Sequence, residues 1–322
     1  MKIPPTSSSG TTNHPSDEVA EPESTRWTEV GLVLMVVVWG VNFAVVKRAL
    51  ATFEPLGFNA LRFALASLFV LVVLRSRGPL RLPERSDVPR FIGLGIVGNV
   101  LYQMGFILGL ERTRAGNASL MLSLTPIFTA LLSAASGGER PGPRTWAGGM
   151  ISVAGVALVT GSTIRLEGTT RTLAGDLLLI GAALVWALYT VGAAPMVRRY
   201  GSTQATAWTL WVGAAGLLLI GSPALARQDW RGVSAEAWGG LLFSAILAIG
   251  LAYLLWYRGV ERIGNTRTAI FSNLTPAVAL AFGALLLGEH PSVLALTGAA
   301  LTLGGVMLVR SDVAPKLQPV EA

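Results

Sequence analysis

The stretch ERTRAGNASLMLSLTPIFTALLSAASGGERPGPRTWAGGMISVAGVALV, residues 111–159, decides the fold because it returns as ERIGNTRTAIFSNLTPAVALAFGALLLGEHPSVLALTGAALTLGGVMLV, residues 261–309. Moved along the chain by 150 residues without a gap, Glu111-Arg112 falls on Glu261-Arg262 and Leu124-Thr125-Pro126 on Leu274-Thr275-Pro276. Gly138-Glu139 with Pro141 falls on Gly288-Glu289 with Pro291, and Gly155-Val156 falls on Gly305-Val306. Between Ile96 and Val159, 17 of 64 positions are identical. Apolar composition alone yields chance matches of Leu and Val, but it does not align Glu-Arg, Thr-Pro and Gly-Glu-x-Pro in one register. The chain is an internal duplication.

What is duplicated is membrane-spanning. Of 322 residues, 52% are apolar and 13% charged, and the mean hydropathy is +0.58. That composition belongs to a polytopic membrane protein rather than to two soluble domains. With no cysteine, the chain offers neither a disulfide framework nor a thiolate metal site. The net charge of +7 comes from Arg residues set between apolar runs, so membrane topology accounts for it and nucleic acid is not an expected partner.

Residues 1–28, rich in Pro, Ser, Thr and Glu, read as a disordered cytoplasmic tail without the charge pattern of a cleaved signal. Apolar runs then follow at about 29–50, 55–75, 90–110, 115–136, 144–161, 174–194, 203–224, 235–257, 268–288 and 291–310, each near the ~20 residues a bilayer crossing requires. The expected fold is an all-α polytopic membrane protein of ten transmembrane helices. Its first repeat covers 29–161 and its second 174–310, with a short cytoplasmic tail at 311–322. The absence of period-2 alternation disfavours a β-barrel. With the N-terminus inside, cytoplasmic segments hold 16 Lys and Arg and outer segments hold 8, so both termini are expected in the cytoplasm.

Five spans per copy is an odd number, and the two copies must therefore run in opposite directions through the membrane. Inverted repeats of this kind are a hallmark of secondary transporters, whose substrates bind near the midplane between the repeats. Towards the start of each copy the register changes to 147, and Trp39-Gly40-Val41-Asn42-Phe43 matches Trp186-Ala187-Leu188-Tyr189-Thr190.

The first span reads Trp-Gly-x-Asn-Phe-x-x-x-Lys over Trp39 to Lys47, and the second reads Pro-x-x-x-x-x-x-Arg-Phe over Pro55 to Phe63. Together with ten spans and the duplicated Thr-Pro and Gly-Glu-x-Pro, these motifs resemble the EamA family of the drug/metabolite transporter superfamily over roughly Glu29 to Arg310. The resemblance implies a bacterial inner-membrane exporter of amino acids or related small metabolites, built around a central cavity in the lipid bilayer. Multidrug or other organic-solute export and passive facilitation are the alternatives within that class. Small multidrug-resistance relatives exchange protons at a membrane-embedded glutamate, and this chain has no matching acid between Glu29 and Glu54.

Candidate cavity-lining residues follow from helical spacing. Trp39, Asn42, Phe43 and Val46 share one face of the first span, and Trp186, Tyr189, Thr190 and Ala193 share the equivalent face of the sixth. Asn99, Tyr102, Gln103 and Phe106 form a stripe on the third span, answered on the eighth by Ile249, Ala252, Tyr253 and Trp256. The alternative for Asn99 and Gln103 is bonding between neighbouring helices. Pro126 and Pro276 are expected to kink the fourth and ninth spans, with Ser123 and Asn273 placed to bond the freed backbone or a substrate. Arg62 and Lys47 are cations with uncharged counterparts, Thr209 and Ala194. They read either as an anion-recognition pair or as side chains snorkelling to the interface. Gly148 with Ser152 and Gly298 with Thr302 place small residues at four-residue spacing, which predicts close packing of the fifth span against the tenth.

A membrane-embedded enzyme needs clustered His, Asp, Glu or Cys at membrane depth, and the sequence has no such cluster, no metal motif and no cofactor motif. The expected partners are a small-molecule substrate and the bilayer, and the expected assembly is a monomer or weak homodimer.

Overall fold

The computed structural model describes residues 22–135, 142–167, 170–272 and 274–313. Among the described residues every regular element is helical. In chain order these are α1 (Pro22–Ala49), α2 (Pro55–Arg77), α3 (Val88–Gly95), α4 (Tyr102–Arg112), α5 (Ala115–Leu122), α6 (Thr125–Ala135) and α7 (Pro143–Glu167). There follow α8 (Thr170–Tyr200), α9 (Ser202–Arg227), α10 (Ala235–Leu242), α11 (Ala252–Ser272), α12 (Thr275–Leu287) and α13 (Val293–Val313). Ile96–Leu101 joins α3 to α4, and Phe243–Leu251 joins α10 to α11, as π-helical turns.

Among the described residues seven segments are long and apolar enough to cross a membrane, and Trp146–Val159, Thr275–Leu287 and Val293–Gly305 are shorter apolar helices. Large apolar side chains such as Leu68, Val72, Leu219 and Leu285 are exposed. That is the reverse of a water-soluble surface and suits helices surrounded by lipid, whose backbone groups are satisfied internally.

Packing pairs the halves of the chain. Helix α7 lies along α13, and α2 lies along α9. Helix α4 packs on α8 as α11 packs on α1, α6 packs on α8 as α12 packs on α1, and α5 meets α12. The small residues account for the tightest of these approaches. A side chain at Gly155 would run into the Gly298 carbonyl, one at Gly305 would run into Ser152, and Ser152 Oγ donates to the Thr302 carbonyl at 3.0 Å. The expected contact between the fifth and tenth spans is therefore made within the chain.

Several boundaries differ from the sequence reading. Helix α1 begins at Pro22, not at residue 29. Of the expected tails, residues 1–21 and 314–322 lie outside the described residues. Helix α11 continues to Ser272 through the expected loop after 257. The charged residues Arg258, Glu261 and Arg262 end the apolar run there but not the hydrogen-bonded helix.

Pro126 interrupts the helical hydrogen bonding inside the apolar segment Ala115–Leu132, where the Ser123 amide still donates to the Ser119 carbonyl and the Phe128 amide to that of Leu124. Helix α5 ends at Leu122, and Thr125 and Thr275 open new helices with the prolines in their first turns, where no amide donor is needed. The carbonyl of Leu122 is taken by Thr125 Oγ1 at 2.8 Å, whereas Ser123 Oγ turns back to the Leu120 carbonyl at 2.6 Å.

Candidate functional site

Arg62 is the centre of the site. It sits on α2 seven residues after Pro55, about 10 Å along the axis at ~1.5 Å per residue, and is 1% exposed. One amino group, Nη2, donates to Asn59 Oδ1 at 2.6 Å and to Gln103 Oε1 at 2.6 Å, while Nη1 donates to Ser244 Oγ at 3.1 Å. Asn59 lies one turn earlier on the same helix, Gln103 opens α4, and Ser244 lies in the π-helical turn before α11. Nε has no hydrogen-bond partner. Among the described residues no carboxylate pairs with this guanidinium. Its remaining neighbours are ring faces, with the guanidinium carbon 5.4 Å from the centre of Phe106, 5.6 Å from Phe58 and 5.9 Å from Phe63. Neutral dipoles and aromatic quadrupoles solvate a cation in part but leave its charge uncompensated.

A wall of rings runs from this cation across both halves of the chain. Phe43 meets Phe106 at 5.7 Å, Phe106 meets Tyr102 at 6.2 Å, and Tyr102 meets Trp186 at 4.7 Å between ring centres. Trp186 contacts Tyr253 at 5.6 Å, Tyr253 contacts Trp39 at 6.3 Å, and Trp39 contacts Trp256 at 5.5 Å. Gln103 Nε2 donates to the Tyr253 hydroxyl at 3.3 Å and so ties the wall to the Arg62 cluster. The Trp39 indole donates to the Ala248 carbonyl at 2.9 Å. Ala248 belongs to a π-helical turn, a widened element that recurs at functional sites. The equivalent turn in the first half passes Gly98, where any side chain would collide with the Tyr189 ring.

A second polar cluster occupies the corresponding place on α9. Thr209, the counterpart of Arg62, exchanges a hydrogen bond with the Tyr189 hydroxyl at 3.0 Å, and its carbonyl accepts from Asn99 Nδ2 at 3.0 Å. This cluster is neutral throughout.

Ten of the residues singled out from the sequence thus meet through ring contacts or hydrogen bonds: Trp39, Phe43, Arg62, Tyr102, Gln103, Phe106, Trp186, Tyr189, Tyr253 and Trp256. Asn99 bonds a neighbouring helix, as its alternative reading had it. Asn42 is buried on α1 with its carbonyl oxygen unpaired. Lys47 does not join Arg62. Its ammonium donates to the carbonyls of Leu110, Glu111 and Thr113 at 2.8, 3.0 and 2.6 Å, closing the C-terminal end of α4. Asn273 lies outside the described residues, as does Glu139. The sequence reading missed Asn59 and Ser244. Asn59 had a signal, the three-residue spacing that sets it on the face of Arg62; Ser244 had only its polarity within an apolar run.

A buried cation and an aromatic wall at the centre of an apolar helical bundle mark a polytopic membrane protein with a polar interior. Which family it represents follows from comparison. The sequence model of the EamA-like transporter family matches residues 26–161 and 173–311, and the chain belongs to that family. It is 28% identical over 273 residues to "Uncharacterized transporter YdfC" of Bacillus subtilis, covering 85% of this chain and 87% of that one. It is 29% identical over 283 residues to "Probable terminal-alkyne amino-acid exporter" of Streptantibioticus cattleyicolor, covering 86% and 91%. A crystal structure of a protein 22% identical in sequence shares the fold with a TM-score of 0.65, covering 91% of this chain and 99% of that chain. The protein is a membrane transporter by family, with small molecules as the class of cargo.

Proposed function

We propose that the chain is a secondary transporter that exports amino acids or related small carboxylates across a bacterial inner membrane by alternating access. The ten apolar segments act as spans in two inverted copies, with both termini cytoplasmic, and cargo binds between the copies against Arg62 and the Trp39–Trp186–Tyr253 wall. The observation that carries this reading is Arg62: a cation 1% exposed, hydrogen-bonded to neutral side chains and lacking a carboxylate among the described residues. In a low-dielectric interior such a group is completed by an anion, and a guanidinium matches a carboxylate in shape as well as charge. The surrounding rings suit an apolar or aromatic side group on the same molecule. Support for the inverted arrangement comes from packing, since exchanging the copies turns each of the helix contacts α4–α8 and α6–α8 into another observed one, α11–α1 and α12–α1.

The test is counterflow into proteoliposomes with a panel of amino acids, with and without a proton gradient. Saturable exchange of one or more carboxylate-bearing solutes is expected; exchange confined to cations or neutral drugs rejects the proposed cargo. A reporter fused after Ala322 that is active only on the periplasmic side rejects the orientation.

A further inference from the structure

Asn42 is a buried amide without a hydrogen-bond partner among the described residues. It lies on α1 one turn after Trp39 and next to Phe43, is 7% exposed, and its Oδ1 is both sealed from solvent and unpaired. Other amides of the site are engaged: Asn59 Oδ1 and Gln103 Oε1 accept from Arg62, and Asn99 Nδ2 donates to the Thr209 carbonyl. An unpaired acceptor in a dry interior costs free energy, so its persistence calls for a donor that the fold does not supply.

The second copy shows which way position 42 faces. The counterparts of Asn42 and Arg62, in the one register of 147 residues, are Tyr189 and Thr209, and these two share a hydrogen bond between their hydroxyls at 3.0 Å. The duplication therefore turns positions 42 and 62 towards each other. In the first copy the same two positions do not bond. Arg62 gives its amino groups to Asn59, Gln103 and Ser244 and leaves Nε unpaired, while Asn42 leaves Oδ1 unpaired. Helix α8 packs on α9, but α1 and α2 are set apart. The space that Tyr189 and Thr209 close in one copy thus has a cationic donor on one side and a neutral acceptor on the other in its counterpart.

A molecule that satisfies both carries a negative acceptor and a positive donor a short distance apart, which is the head of an α-amino acid. The rings help. Trp39, one turn from Asn42, meets Tyr253 edge to face, and aromatic faces stabilise an ammonium without a carboxylate.

We propose that Asn42 Oδ1 receives the ammonium of the cargo, a role that rests on the reading of Arg62 as holder of its carboxylate and narrows the cargo from carboxylates in general to zwitterionic α-amino acids.

The experiment measures saturable counterflow, in proteoliposomes holding the full chain, of phenylalanine against 3-phenylpropionate and of leucine against 4-methylpentanoate. Each pair differs by the ammonium alone. The parent is expected to carry each amino acid about tenfold better than its deaminated partner, the size of one charge-assisted hydrogen bond. Asn42→Leu removes the acceptor and is expected to abolish that preference while the deaminated acids keep their rates. Asn42→Asp supplies a charged acceptor and is expected to raise transport of phenethylamine relative to 3-phenylpropionate about tenfold, on the same scale. Preference is read within one preparation, so weak expression lowers both members of a pair alike. A parent that carries both members equally, or an Asn42→Leu variant that keeps the parent's preference at whatever rate, overturns the ammonium role and leaves the Arg62 reading standing. Where Asn42→Leu does not fold, Asn42→Asp decides, and unchanged relative rates in that variant overturn the role. A parent that carries none of the four solutes removes the Arg62 reading and this role with it.

Discussion

On α2 a guanidinium meets Asn59, Gln103 and Ser244; at the matching place on α9 a hydroxyl meets Tyr189 and a backbone carbonyl meets Asn99. Both clusters are buried, both sit where two halves of the chain cross, and one is charged while the other is neutral. The fold is therefore stable around either kind of polar centre, and the charge at Arg62 is not a structural requirement of the duplicated scaffold. A second asymmetry has the opposite meaning. Lys47 faces Ala194 across the duplication, but it caps a helix end that exists only in the first copy, since α4 stops at Arg112 while α11 runs on. There the charge follows the local structure.

The largest expected effect comes from erasing the first asymmetry. Arg62→Met should lower transport of a carboxylate cargo about a hundredfold, the scale of one or two charged hydrogen bonds lost in a dry site. Its melting temperature should stay equal or rise, because an uncompensated buried charge is replaced by an apolar chain of similar length. Wild-type transport by a well-expressed variant would remove Arg62 from the site. Gln103→Leu should act next in size. It removes a neutral acceptor that competes with cargo for Arg62, so KM should fall about tenfold and turnover should drop with it, as measured by initial rates of counterflow.

Lys47→Met should leave cargo affinity alone and cost about 2 kcal/mol of stability through the exposed carbonyl end of α4. Thermal unfolding in detergent measures this, and a changed KM would return Lys47 to the binding site. Thr209→Val is the mildest change. It loses one neutral hydrogen bond to Tyr189, worth about 1 kcal/mol, and should alter transport less than threefold, the scale of that single bond. A loss as large as that of Arg62→Met would make the two clusters equivalent and defeat the comparison.

Much of this was legible in the amino-acid sequence because duplication displays itself twice. The register of 150 residues located the matching Thr-Pro and Gly-Glu-x-Pro segments, and helical spacing found Trp39, Trp186, Gln103 and Tyr253 as facing stripes. Three things were not legible, each for a physical reason. Hydropathy measures apolar content and not hydrogen bonding, so it missed the helical extensions at Pro22 and beyond Arg258. A π-helical turn is one extra residue per turn with no residue type of its own, so Ile96–Leu101 and Phe243–Leu251 gave no sign. The role of Lys47 depended on which carbonyls its ammonium meets, and that becomes visible only when α1 is packed against the end of α4.

The central claim is that Arg62 holds the carboxylate of the cargo, and a matched pair of solutes tests it most directly. In proteoliposomes, uptake of phenylalanine and of phenethylamine, which differ by the carboxylate alone, is measured for the parent and for Arg62→Met. The account predicts that the parent carries phenylalanine well above phenethylamine and that the variant loses this preference. Equal transport of both solutes by the parent, or a preference that survives in Arg62→Met, would contradict it.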